Sequence, residues 1–263
     1  MKYETIEFKK EKNVTTIYLN RPDVHNAMND KLINELTNFF KDLYNDDKTR
    51  IIILSGNGKS FCAGADLHWM KSMINYSLEE NINDSSLLLN LFETIYNCPK
   101  PVIGRINGSA FGGGLGLLAV CDIVVAVSDC KFAFTEIRLG IIPAVVSTYI
   151  IKRIGVSNAK RLFITGEKFD ANYAKEIGLV DHVASQNEID NVIKQYIELL
   201  FYSAPKAIAE VKKLINAYEK FDLEKYKEFT VKKIAELRVS VEGQEGMNAF
   251  LEKRKAKWSD GFV

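Results

Sequence analysis

The sequence predicts an α/β fold, a parallel sheet wound by helices and followed by an all-helical C-terminal region. Three patterns carry that prediction. Short apolar, β-branched runs at Ile51-Ile52-Ile53-Leu54, Val102 to Ile106 and Asp122 to Val127 have the composition of strands buried on both faces. Helical stretches separate them, and strand, helix, strand in that order is the mark of right-handed parallel crossovers. From Val146 onward the apolar residues recur almost entirely at helical spacing.

In chain order, residues 3–19 alternate apolar and polar around Glu11-Lys12-Asn13, which predicts a hairpin at the sheet edge with its second strand over Val14 to Leu19. Pro22 ends that strand. Leu32, Leu36, Phe39 or Phe40, and Leu43 then lie on one helical face behind Asn29, a natural N-cap. The Ile51 strand stops at Gly56-Asn57-Gly58, and a long helix over about Glu79 to Tyr96 is closed by Pro99 and Pro101. The Val102 strand runs into the glycine-rich Gly108 to Gly116 and a short helix to about Val120. Later, Asp170 caps a short helix that stops at Gly178, and amphipathic stretches follow at about 187–202, 206–219, 222–238 and 242–256.

Composition narrows the function classes. The 263 residues are 47% hydrophobic and 26% charged, enough for a substantial core in one large domain or two small ones. Thirty-five basic residues against 34 acidic ones leave a net charge of +1, which provides no field for gathering nucleic acid. No apolar run reaches the roughly 18 to 20 residues of a membrane span, and no signal core follows Met1-Lys2-Tyr3-Glu4-Thr5, so a cytoplasmic protein is expected. Cys62, Cys98, Cys121 and Cys130 form no C-x-x-C pair and read as buried, reduced thiols. His25, His68 and His182 lack metal-ligand spacing, and neither Ser109 nor Ser147 sits in a G-x-S-x-G elbow, so no metal and no serine nucleophile is expected. The run Glu252 to Lys257 reads as a solvated helix face, with phosphate binding as the alternative.

Three segments could carry chemistry. Phe61-Cys62-Ala63-Gly64-Ala65-Asp66-Leu67 has side chains small enough to leave backbone N–H groups open to a ligand, although a tight turn alone would explain it. Asn107 to Gly116 repeats the arrangement, and two such loops side by side could supply one N–H each to an oxyanion hole. A dinucleotide fingerprint read from Gly112 fails at Leu117. In Phe134 to Pro143, Glu136 lies in apolar company, where a raised pKa would suit proton transfer; an ion pair with Arg138 or Arg105 fits the spacing equally well.

These segments, together with Asn20-Arg21-Pro22, Asn26-Ala27, Cys121-Asp122-Ile123, Leu139-Gly140 and Glu245-Gly246 to Arg254, resemble the crotonase, or enoyl-CoA hydratase/isomerase, family over essentially the full length. The resemblance implies a ClpP-like spiral of ββα units over residues 1–190 and a helical trimerisation region over 191–263, assembled as a homotrimer or homohexamer. It further implies an acyl-CoA thioester as substrate, with Ala65 and Gly113 as oxyanion donors and Glu136 as catalytic group. Val24, His25, Ala63, Asp66 and Leu67 would contact coenzyme A, with Phe250 and Lys253 reaching it from a neighbouring subunit. Coenzyme A would arrive as part of the substrate, with no further cofactor.

The pattern departs from the two-glutamate hydratases at one place. Their G-G-G-x-E segment ends here in Gly116, and a general acid or base is worth about 10²–10⁴-fold. The dehalogenase type carries an aspartate where this chain reads Pro143-Ala144-Val145. Of the branches with only the second glutamate, the hydratases of 3-methylglutaconyl-CoA and carboxygeranoyl-CoA are the more similar, through Ala65 to Lys71, Ala110 to Leu117 and Glu136 to Val145. The expectation is a hydratase of a branched or carboxylated enoyl-CoA, with Lys71, Arg105 or Arg138 as partner for a substrate carboxylate. A Δ3,Δ2-enoyl-CoA isomerase, a decarboxylase and a non-catalytic acyl-CoA-binding scaffold are the alternatives.

Overall fold

Pairing of the β-branched runs sets the architecture. A computed structural model describes residues 3–262; Met1, Lys2 and Val263, which belong to the expected terminal regions, lie outside the described residues. Ile6–Glu11 (β1) and Val14–Leu19 (β2) form the expected antiparallel hairpin, with Ile6 opposite Leu19 and β1 at the sheet edge. Ile51–Gly56 (β3), Val102–Ile106 (β5), Ile123–Val127 (β7) and His182–Ala184 (β10) add to β2 in parallel, giving the order β1-β2-β3-β5-β7-β10. All six residues of β3 are buried, as a strand covered on both faces requires.

Each of the three central strands is followed by a second, short one. Ser60–Cys62 (β4), Ser109–Phe111 (β6) and Lys131–Ala133 (β8) pair in parallel, and Phe169–Asp170 (β9) adds antiparallel to β8. The chain thus repeats a long strand, a short strand and a helix, which is the expected spiral of ββα units. The short strands escape a reading by periodicity because two or three residues do not complete an alternation, and β6 lies inside the glycine segment.

The helices follow their predicted faces. Asp30–Tyr44 (α1) is capped by Asn29, whose side chain accepts from Leu32 N–H at 3.0 Å, and it buries Leu32, Leu36, Phe39, Phe40 and Leu43. After Leu67–Met73 (α2), Leu78–Tyr96 (α3) starts from a Ser77/Glu80 capping box. Gly113–Ala119 (α4) and Ala144–Thr165 (α5) complete the spiral, α5 being broken at Gly155 with φ 73° and ψ 163°. Ala171–Glu176 (α6) is capped by Asp170. Among the described residues no helix is long and apolar enough to cross a membrane, and all four cysteines are buried and unpaired.

Ile189–Tyr202 (α7) lays Ile189, Ile193 and Phe201 against the sheet, so the expected division at residues 190/191 falls within a core-packed helix. Pro205–Lys220 (α8), Leu223–Val239 (α9) and Val241–Leu251 (α10) follow. The helix predicted to residue 256 stops at Leu251. Lys253 takes a left-handed φ of 53°, and Arg254 turns back onto Glu245 at 2.7 Å and Glu252 at 2.6 Å. Those ion pairs, unseen in a 3.6-residue pattern, make the basic end a folded-back tail rather than a helix face.

The segment between β2 and α1 is fixed by one buried amide. Asn26, 0% exposed, accepts from Arg21 N–H at 2.8 Å and donates to the Asn57 and Ser60 carbonyls at 2.8 and 2.9 Å. Replacing Asn26 with Ala removes three hydrogen bonds and strands two carbonyls, and a loss of about 2–4 kcal/mol is expected in denaturant unfolding, since each orphaned buried group costs about 1–3 kcal/mol.

Candidate active site

The two glycine loops lie side by side because β4 and β6 are neighbours, with Ser60 opposite Ser109 and Cys62 opposite Ala110. Gly64, at φ +93°, sits so close to the second loop that a Cβ there would lie 3.0 Å from the Phe111 carbonyl oxygen. Met28 bridges the first loop from the other side: its N–H donates to the Gly64 carbonyl at 2.7 Å and its carbonyl accepts from Asp66 N–H at 2.8 Å. Because successive groups of an extended chain point in opposite directions, that bridge leaves the Ala65 N–H facing away from Met28. Gly113 opens α4, where a first-turn N–H has no partner within the helix. The arrangement leaves two backbone donors available on adjoining loops, as an oxyanion hole needs.

Glu136 begins a 3-10 turn, Glu136–Leu139, that follows β8. Its carboxyl group lies against Gly112, where a Cβ would come within 3.3 Å of Oε1. Oε2 is buried and has no hydrogen-bond partner. Burial pushes the pKa of Glu136 above the ordinary carboxylate range, and a hydrogen bond from its own backbone N–H offsets this only in part. The ion-pair alternative is not realised: Arg105 grips Asp190 at 2.6 and 3.0 Å, and Arg138 donates to the Gly166 carbonyl at 3.0 Å.

The remaining predicted residues fall into two groups. Val24 and His25 form the end of the 3-10 turn Pro22–Val24 and run beside the first loop, His25 Nδ1 lying 3.1 Å from Ser60 Oγ and its carbonyl accepting from Ala63 N–H at 3.0 Å. Leu67 is exposed. Asp66 is buried and engaged: it caps α2 through the His68 and Trp69 N–H groups and pairs with Arg21 at 2.7 Å. Burial alone would raise its pKa, but Arg21 and the two N–H groups outweigh that and hold it low. Its carboxylate thus fixes the loop on which Ala65 sits. Phe250 is 83% exposed at the end of α10, and Lys253 is exposed just beyond it.

Sequence reasoning missed the contacts made on α4. A Cβ on Gly113 would fall 2.4 Å from Met28 Cε, and one on Gly116 would fall 2.4 Å from Phe92 Cζ and 2.9 Å from Val146 Cγ1. No local signal marks Phe92, which reads as one apolar residue of a long helix. A polar cavity of about 460 Å³ opens at the carboxyl ends of β3 and β5, lined by Lys59, Arg105, Asn107 and Asp129 among others; Ala65, Gly113 and Glu136 take no part in it.

The chain matches the model of the family described as enoyl-CoA hydratase/isomerase over residues 9–261. It is 33% identical to the short-chain-enoyl-CoA hydratase of Clostridium acetobutylicum over 257 residues, 97% of each chain. Among solved structures it is similar to an enoyl-CoA hydratase from Shewanella pealeana (TM-score 0.93, 34% identity, covering 97% of this chain and 96% of that one). It is also similar to Pseudomonas aeruginosa AtuE (TM-score 0.94, 31% identity, 97% and 100%). The protein is therefore an enzyme of the crotonase fold and belongs to the enoyl-CoA hydratase/isomerase family.

The raised pKa of Glu136 has a thermodynamic consequence. The stability contributed by its neutral form is complete below the unfolded value, about 4.3, and is lost as pH rises through the folded value. At neutral pH the ionised carboxylate is a burden, so Glu136→Gln is expected to raise Tm there and to leave it nearly unchanged near pH 4, while removing turnover. Thermal melts at the two pH values check this.

Proposed function

We propose that this chain is an enoyl-CoA hydratase, a hydro-lyase that adds water across the 2,3 double bond of an enoyl-CoA thioester with one carboxylate. The observation that carries the reading is the buried, unpartnered Glu136 Oε2 beside two loops with free backbone N–H groups. In this reading the thioester oxygen accepts from Ala65 and Gly113 N–H. Ionised Glu136 takes a proton from water as the water oxygen bonds to C3, and the π electrons move onto the thioester oxygen as an enolate. The enolate collapses and C2 takes the proton from Glu136, which regenerates the carboxylate. One carboxyl group then serves as base and acid on the same face, and the raised pKa suits both halves of the cycle.

The finer reading is a branched or carboxylated acyl group such as that of 3-methylglutaconyl-CoA. With Arg105 held by Asp190, a substrate carboxylate is left Lys71, exposed on α2, or Arg138, two residues beyond Glu136. Coenzyme A, brought in by the substrate, would lie along Val24, His25, Ala63 and Leu67, with Phe250 and Lys253 of a neighbouring copy closing over it. We assign a homotrimer or homohexamer on that basis. Helix α9 buries no side chain, and Val231, Val239, Val241, Phe250 and Leu251 are largely exposed, as an apolar face awaiting another copy would be.

Two experiments test the reading. Incubation with 3-methylglutaconyl-CoA is expected to give a product heavier by one water, and a 3-enoyl-CoA is expected to be returned unchanged; a shifted double bond in the second, with no water gained in the first, makes the enzyme an isomerase. Loss of carbon dioxide makes it a decarboxylase, and binding without product makes it a scaffold. The acid limb of kcat/KM should lie above the ordinary glutamate value of about 4.3, because turnover needs the ionised form and burial delays ionisation. A limb at the ordinary value would remove Glu136 as the base.

A further inference from the structure

The face of α4 that carries the site is unusual in having no side chains of its own. Gly113 and Gly116 are three residues apart, a spacing that places them on one face of the helix, and Gly112 is the N-cap that leads into it at φ 49° and ψ -123°. Each is met directly by a group from elsewhere in the chain: Glu136 on Gly112, Met28 on Gly113, and Phe92 with Val146 on Gly116. At 1.5 Å per residue, Phe92 meets α4 at Gly116 about 4.5 Å along the axis from Gly113, whose N–H would hold the thioester oxygen.

The Phe92 ring is held firmly. It is 0% exposed and packs edge-on against Tyr149 at 6.1 Å, and Tyr149, 4% exposed, packs in turn on Tyr96 at 5.1 Å. Leu91 and Phe92 are the first buried residues of α3, whose earlier part lies over the outside of the molecule with Leu78 and Ile82 exposed. Phe92 is therefore the point at which α3 enters the interior, and it enters against the backbone that holds the site.

We propose that Phe92, seconded by Val146, is the specificity-determining wall of the acyl site and restricts it to short acyl groups. The inference rests on the hydratase reading given above for the identity of the ligand. A rigid ring against the glycine face leaves no depth for a chain to extend past Gly116, and the groups that meet Gly116 there, Phe92 and Val146, are apolar and offer a charged tail no partner. A substrate carboxylate must then turn outward, toward Lys71 or Arg138, rather than inward.

The test compares crotonyl-CoA with 2-octenoyl-CoA, by kcat/KM, in the wild type, Phe92→Leu, Val146→Ala and Phe92→Ala, and repeats the comparison as Kd with the saturated esters butyryl-CoA and octanoyl-CoA. The wild type should favour the short ester in both measurements. Phe92→Leu and Val146→Ala should each move the long-to-short ratio upward by about tenfold, the discrimination that one or two methylene-sized volumes provide, with a larger shift in Phe92→Ala where it folds. Unchanged ratios in both milder variants, at melting temperatures close to the wild type, overturn the proposal. Should the wild type hydrate neither enoyl ester while the Kd ratio of the saturated esters still shifts with Phe92→Leu, the hydratase reading fails and the wall stands.

Discussion

Close approach of the two glycine loops is the constraint on which the rest of this structure depends. Strands β4 and β6 pair in parallel for only a few residues, and immediately beyond them Gly64, at φ +93°, meets the Phe111 carbonyl where a Cβ would be both strained and crowded at 3.0 Å. A side chain at that point would wedge the loops apart and separate the Ala65 and Gly113 N–H groups. Packing behind the loops is arranged to keep them in place. Met28 hydrogen-bonds on both sides of Ala65, Asp66 is locked to Arg21 and to the first turn of α2, and Asn26 ties the preceding segment to the turn between β3 and β4. Donors held this way need little reorganisation when charge develops on a bound oxygen, and preorganisation of this kind supplies a large share of many enzymes' rate enhancement.

Against this rigid frame stands a carboxyl group that the fold does not satisfy. Most buried polar atoms in proteins have a partner, and the two arginines that the sequence offered Glu136 are taken elsewhere, Arg105 by Asp190 and Arg138 by the Gly166 carbonyl. Glu136 Oε2 alone at the site is left without one. Its ionised form is penalised by burial, so it holds its proton to a higher pH than an ordinary carboxylate would. The instability is local and tolerable because a single β8-to-α5 connection carries it, while the core of β3, β5 and β7 lies elsewhere.

Much of this was legible in the sequence, and the exceptions share a cause. The long strands, the Asn29 cap, the Asp170 cap and the two glycine loops are local patterns, each written in a handful of adjacent residues. The small sheet was not legible, since β4, β6, β8 and β9 are too short to show alternation and exist through pairing with distant segments. The early end of α10 depends on Arg254 reaching Glu245, a contact across a turn that helical spacing does not anticipate. At the site the sequence offered two environments for Glu136, ion-paired or orphaned, and only the placement of Asp190 and Gly166 decided between them. Phe92 was invisible for the same reason: its importance lies in meeting Gly116, 24 positions away, and nothing near it in the chain says so.

Gly116 and Phe92 are best understood together. A residue with a carboxylate at position 116 would need the volume that the ring fills, since even a Cβ there falls 2.4 Å from Phe92 Cζ. The space above Gly116 is closed by apolar groups, with Val146 beside the Phe92 ring and Tyr149 packed against it. An apolar wall at that point bears on Glu136 in two ways: it brings no like charge to couple with its titration, and it adds no polarity that would ease its ionisation. Burial then dominates the titration of Glu136 and raises its pKa, against a glycine face shaped by its neighbours rather than by side chains of its own.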